Sequence, residues 1–208
     1  MATPAPRHFS LIRNFHLADF FTLGNGACGT AAIFLAMEHV REAGAQKIYL
    51  AGVLVLGALF LDVMDGRIAR WRHAASPMGR ELDSLADVIS FGVAPACVAY
   101  AVGMNSVLDA LALLYFAACG ISRLARYNIT ADALGGGSGK VRYFEGTPIP
   151  TSVILVLLLV ILAWRGRIGA ALPLGVVAAG PFAFHPLVLL FVLSGSLMIS
   201  KTLRIPKL

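Results

Sequence analysis

The chain has 208 residues, of which 58% are hydrophobic and only 13% charged, and its mean hydropathy is +0.79. That composition excludes a soluble all-α core, because apolar stretches of about 20 residues recur, as membrane-spanning helices require. The formal net charge of +6 then reads as loops facing anionic lipid headgroups, so no nucleic-acid partner is expected.

In chain order, the first segment carries Arg7 and Arg13 but no short apolar run followed by a small-residue cleavage site, so no cleaved signal peptide is expected. A first span is predicted at about 17–38. In it, Asp19 reads as a cap, and Gly24, Gly26 and Gly29 suit close helix packing. Asn25 suits either a ligand pocket or a bond between helices. A second span is predicted at about 47–71, projecting into water beyond Asp65. Ser76-Pro77 breaks the chain before a third at about 80–103. The fourth, at about 106–127, opens with Asp109, which suits an N-terminal cap. A glycine-rich loop from Gly135 to Gly139 separates it from a fifth span at about 148–165. Residues 168–182 are apolar but broken by Pro173, Gly175, Gly180 and Pro181, and read as a re-entrant or short extra span. A last span is predicted at about 183–200. The fold class is therefore all-α, a polytopic transmembrane helical bundle forming one domain over 1–208. Cys28, Cys97 and Cys119 lie inside apolar runs and suit packing rather than disulfides or zinc. His16, His39 and His185 read as isolated residues near helix ends.

Charge placement orients the bundle. Arg7, Arg13, Arg67, Arg70, Arg72, Arg80, Arg123, Arg126, Lys140, Arg142, Lys201, Arg204 and Lys207 fall on one side. The other side has Arg41, Lys47, Arg165 and Arg167. This excess makes the first side, with both termini, cytosolic.

Five of the eleven acidic residues lie between Leu61 and Gly92. Asp62 and Asp65 are three apart, and Asp83 and Asp87 four apart, so each pair occupies one helical face. Two antiparallel helices bring all four carboxylates together at the cytosolic ends of the second and third spans. Such a cluster beside a membrane is costly unless cations neutralise it. Oxygen ligands favour hard divalent ions, Mg²⁺ or Mn²⁺, and two ions about 4 Å apart would suit phosphoryl transfer. Gly66 and Ala69 keep the face open, and Arg70 offers a bidentate partner for phosphate, while Arg67 and Arg72 read as positive-inside residues. A cation-transport path is the rival reading, but it would place the acids at the midplane.

The run Asp62-x2-Asp65-Gly66-x2-Ala69-Arg70-x8-Gly79-x3-Asp83-x3-Asp87 resembles the complete signature of the CDP-alcohol phosphatidyltransferases, with eight fixed residues over 26 positions. The flanks, Ser84 to Ala96, Arg123 to Asn128 and Phe144 to Pro150, resemble the serine-accepting branch of that family, as do the Leu197 to Ser200 ending of the last span and the Thr22 to Asn25 start of the first. The resemblance covers about residues 15–205. Thr147 stands where Leu is usual, and Ala18-Asp19 replaces a Pro-Asn pair. It implies a six-helix core, a cytosol-facing site for two divalent metals (Mg²⁺ or Mn²⁺), and a homodimer. It implies exchange of CMP on a CDP-linked lipid, CDP-diacylglycerol, for the hydroxyl of L-serine. Asp62, Asp65, Asp83 and Asp87 would be metal ligands, with Asp87 also the general base. Gly66, Ala69, Arg70 and Gly79 would line the CDP pocket. Arg123, Arg126, Asn128 and Glu145 are candidates for holding serine, with juxtamembrane anchoring the alternative for the two arginines. Other alcohol acceptors, glycerol phosphate or inositol phosphate, would need a richer cationic site, and archaeal ether-lipid chemistry shares much of the pattern.

Overall fold

A computed structural model describes residues 17–42, 44–72, 77–135, 143–200, 202 and 204–206. Among the described residues, seven α-helices make the bundle: α1 (Leu17–Arg41), α2 (Ala45–Arg72), α3 (Pro77–Asp87), α4 (Ala94–Ala101), α5 (Val107–Gly135), α6 (Val153–Trp164) and α7 (Leu189–Ile199). A π-helical segment, Val88–Val93, joins α3 to α4, so these three run on as one rod. Among the described residues, four helical stretches are long and apolar enough to cross a membrane: Ala18–Arg41, Ala45–Ile68, Met78–Ala101 and Val107–Ile129. The chain is a multi-pass helical membrane protein.

The polarity of the fold follows from that solvent. Phe34, Phe60, Leu114 and Ile154 are exposed, while Thr22, Asn25, Asp65, Asp87, Ser90, Asp109 and Arg123 are buried. Lipid solvates the apolar side chains, so polar groups are driven inward to meet one another. Small residues set the spacing inside: Ala32 and Ala36 of α1 pack in one cluster with Ala51, Val55 and Ala58 of α2 and Ala94 and Val98 of α4. Larger groups fill the α5–α7 seam, where the Phe116 and Phe191 rings meet edge to face at 5.3 Å.

The last two predicted spans are shorter than expected. Their helical parts are Ile149–Trp164 and Pro186–Ile199, each opening with a 3₁₀ turn at prolines. Residues 168–182 contain no helix beyond the 3₁₀ turn Gly169–Ala171. Strands β2 (Val177–Ala179) and β3 (Phe182–Phe184) form an antiparallel hairpin there, so the expected start of the last span near 183 moves to Pro186. The glycines and prolines supply turn geometry that a spanning helix cannot use. Strand β1 (Tyr143–Glu145) pairs antiparallel with β4 (Arg204–Pro206), with Phe144 opposite Ile205. This pairing puts the segment after α5 and the segment after α7 at the same end of the bundle. Gly146 closes the join: at φ +74° an added Cβ would lie 2.3 Å from the Met198 carbonyl oxygen.

At the other end, His185 and Asp109 form a buried pair. His185 Nδ1 lies 2.7 Å from Asp109 Oδ2, and the His185 N–H donates to Asp109 Oδ1 at 2.8 Å. Ser106 and Asp109 also cap α5 reciprocally: the Asp109 N–H donates to Ser106 Oγ and the Ser106 N–H to Asp109 Oδ2, both at 3.2 Å. Asp109 is thus the expected cap, and His185, expected to be isolated, is its partner. His39 likewise reaches the Gly44 carbonyl across the α1–α2 turn, at 3.0 Å. In that turn Lys47 Nζ donates to Glu42 at 2.8 Å, a bond that holds the Glu42 carboxyl below its usual range.

His185→Ala removes the buried partner of Asp109 and should destabilise the fold by about 1–3 kcal/mol. The pair lies 14 residues before Arg123 on α5, about 21 Å along the helix. Turnover per folded molecule should therefore stay near wild type while the melting temperature in detergent falls; an unchanged melting temperature would refute the structural role of the pair.

Candidate active site

α2 and α3 carry the four aspartates to one end of the bundle. One carboxylate oxygen from each of Asp62, Asp83 and Asp87 lies within 4.8 Å of the others. Asp65 and Asp87 are buried, and Asp62 and Asp83 partly so. Asp83 Oδ1 is buried without a hydrogen-bond partner among the described residues. Three carboxylates converging with an unused oxygen match the donor set of a hard divalent cation. Asp65 stands outside this tight group because it has other partners. Its Oδ2 accepts a hydrogen bond from Thr22 Oγ1 at 2.8 Å. Asp19, on α1, adds a further carboxylate close enough to act on Asp65 electrostatically.

α1 supplies the framework. Asn25, fully buried, donates from Nδ2 to Asp87 Oδ1 at 3.1 Å. Its backbone carbonyl accepts a bond from Ser90 Oγ at 2.9 Å. Of the two options raised by the sequence for Asn25, the bond between helices is the one found, and it ends on the Asp87 carboxylate. Gly29 makes this approach possible, because an added Cβ would sit 2.6 Å from the Ser90 Cα and 2.3 Å from its Oγ.

The π turn begins immediately after Asp87. The Ala94 N–H bonds back five residues to the Ile89 carbonyl. Pro95 has no N–H to return to Phe91, and Ser152 Oγ donates to the freed Phe91 carbonyl instead, at 2.7 Å. This widened turn was not anticipated. Pro95 inside an apolar span, three residues after Gly92, was its sequence signal. The stripe Asp19, Thr22 and Asn25, at three-residue spacing in an otherwise apolar helix, was the signal for the partners on α1.

The remaining candidates divide. Gly66 follows Asp65 on α2, and Gly79 lies half-buried on α3. Ala69 and Arg70 continue α2 and Glu145 ends β1, but their side chains lie outside the described residues. Arg123 is buried within electrostatic reach of Asp87, its guanidinium 6.0 Å from the Tyr127 ring centroid, and its Nε has no hydrogen-bond partner among the described residues. Arg126 turns to α7 and donates to the Ile199 carbonyl at 3.3 Å. It lines a cavity of 430 Å³ with Tyr115, Cys119 and Ser122. Asn128 bonds to α3, donating to Ser84 Oγ at 3.0 Å.

Residues 15–193 match the family model described as CDP-alcohol phosphatidyltransferase. The chain is 41% identical over 208 residues to a CDP-diacylglycerol–serine O-phosphatidyltransferase of Saccharomyces cerevisiae, covering 99% of this chain and 75% of that one. It is 36% identical over 146 residues to the Bacillus subtilis protein of that name, covering 69% and 75% of the two. To the one from Helicobacter pylori strain 26695 it is 42% identical over 134 residues, 64% and 54% of the two chains.

A contrast between two glycines tests the close approach of α1 to the rod formed by α3 and the π-helical segment. In Gly29→Ala the new methyl meets backbone, so α1 must move; the overpacking should cost about 1–3 kcal/mol and lower turnover. In Gly26→Ala the methyl would lie 3.5 Å from Ala86 Cβ, an ordinary contact, and activity should be retained. Equal behaviour of the two variants in thermal stability and turnover would contradict the packing described.

Proposed function

We propose a specific reaction for this chain, which belongs to the CDP-alcohol phosphatidyltransferase family: transfer of the phosphatidyl group of CDP-diacylglycerol to the hydroxyl of L-serine, giving phosphatidylserine and CMP. The observation that carries the reading is the convergence of Asp62, Asp83 and Asp87 within 4.8 Å, beside a buried arginine. The serine-accepting relatives support the choice of alcohol.

Asp62, Asp83 and Asp87 would hold divalent metal, Mg²⁺ or Mn²⁺, with Asp65 completing a two-metal set. Bound there, the metal supplies positive charge to the pyrophosphate and to the departing CMP. Gly66 and Gly79 leave room for the nucleotide end of the donor, with Ala69 and Arg70 beside them on α2.

Asp87 is assigned as general base. A serine hydroxyl is a weak nucleophile at neutral pH, so a carboxylate placed to take its proton lowers the barrier to attack. The hydroxyl oxygen forms a bond to the phosphorus that bears the diacylglycerol. The bond from that phosphorus to the CMP oxygen breaks, and CMP leaves with the electron pair. The proton ends on Asp87. Arg123, buried near Asp87, suits the serine carboxylate, whereas Arg126 and Asn128 already bond to α7 and α3 and would shape the pocket wall. Glu145 remains a candidate for the serine ammonium. The excess of Lys and Arg at the aspartate end supports a cytosolic site with both termini on that side, and a homodimer is the assembly proposed.

Asp87→Asn should lower kcat by about 10²- to 10⁴-fold, the usual worth of a positioned base. Full turnover with metal still bound would remove Asp87 from that role. For the acceptor, purified protein with CDP-diacylglycerol and Mn²⁺ should release CMP with L-serine, far less with glycerol 3-phosphate or inositol 1-phosphate, and none after EDTA. Release only with a phosphorylated acceptor would overturn the choice of serine, and no release with any acceptor would overturn the enzyme reading.

A further inference from the structure

Neither the family signature nor the aspartate cluster includes any residue of α1, yet two of the four aspartates are held from that helix. Thr22 and Asn25 are three residues apart and so share a face. They reach different helices. Thr22 Oγ1 donates to Asp65 Oδ2 of α2 at 2.8 Å, and Asn25 Nδ2 donates to Asp87 Oδ1 of α3 at 3.1 Å. Both are buried, at 4% and 0% exposure, so water does not compete for these bonds.

We propose that Thr22 and Asn25 are positioning residues: they fix the Asp65 and Asp87 carboxylates, one on each of the two helices that carry the acids, and thereby set the geometry in which the four acids share cations. The proposal rests on the metal-dependent transfer proposed above. A carboxylate turns easily about its last bond, and one donor on one oxygen stops that rotation while leaving the second oxygen available. The same logic makes outer partners of metal ligands matter nearly as much as the ligands themselves.

The anchoring of α1 makes it a firm reference for both bonds. Asn25 is tied to the rod carrying Asp87 twice, through its side chain to Asp87 and through its backbone carbonyl to Ser90 Oγ. Gly29 lets the two backbones close one turn further along. Asn25 therefore cannot follow Asp87 if that side chain turns away, and the bond acts as a constraint rather than a passive partner. A role limited to satisfying buried carboxylates would affect folding stability alone.

Four variants of the full chain in detergent separate these roles: Thr22→Val, Thr22→Ser, Asn25→Leu and Asn25→Ser. The readouts are Mn²⁺ affinity by electron paramagnetic resonance, kcat and KM for serine, and melting temperature. Thr22→Val and Asn25→Leu should weaken Mn²⁺ binding by about 10–100-fold and lower kcat, with the KM for serine little changed. Thr22→Ser, which keeps the hydroxyl, should restore both. Should Asn25→Leu fail to fold, Asn25→Ser is the informative variant, because its shorter side chain loses reach to Asp87 while staying polar. Variants that lose melting temperature but keep wild-type Mn²⁺ affinity and kcat would overturn the proposal, as would Thr22→Ser behaving like Thr22→Val. The Mn²⁺ titration does not depend on the acceptor, so it still decides the matter if serine proves not to be the alcohol used.

Discussion

The structure depends on one electrostatic constraint: three carboxylates converge within 4.8 Å at the end of a membrane bundle, with the Asp65 carboxylate close enough to act on them. Like charges at that range, shielded from bulk water, repel strongly, and the arrangement holds only if cations, hydrogen bonds or both offset the repulsion. Thr22 and Asn25 supply donors to Asp65 and Asp87, while Asp83 keeps a buried oxygen without a hydrogen-bond partner among the described residues. The site is partly satisfied by the protein, and what remains suits a hard cation. A fully satisfied cluster would have nothing left to bind one.

Close packing is the second requirement, and it serves the first. Lipid gives no hydrophobic drive between helices, so they associate through small residues that let backbones touch. Gly29 against Ser90 is the tightest instance near the site, and the alanines of α1, α2 and α4 extend the same seam. The π turn after Asp87 belongs to this seam as well. Pro95 leaves the Phe91 carbonyl without its helical donor, and Ser152 at the start of α6 replaces it. A break in one helix thereby docks another, a few residues from the acids. The far end of the bundle is held differently, by the Asp109–His185 pair and the reciprocal cap with Ser106.

Much of the site was legible without coordinates because helical periodicity is local. Spacings of three and four put Asp62 with Asp65 and Asp83 with Asp87 on shared faces, and the short connection between the two helices brought the faces together. Long-range partners were not legible. His185 lies 76 residues from Asp109 and Asn25 lies 62 from Asp87. No period in the sequence relates residues so far apart. The hairpin within the broken segment at 168–182 was not legible either, because its pairing depends on which turn the glycines and prolines adopt.

By itself the sequence determined the membrane class, the acidic cluster and the family signature. These follow from composition and from spacing within single helices, where the backbone geometry is known in advance. Only the tertiary structure decided how the aspartates differ from one another. It tethered Asp65 and Asp87 to α1, left an oxygen of Asp83 open, turned Arg126 to α7 while leaving Arg123 near Asp87, and widened the helix just beyond the site. The physical reason is that hydrogen bonds and close backbone contacts between helices depend on rotation and approach in three dimensions, which the linear order of residues does not specify.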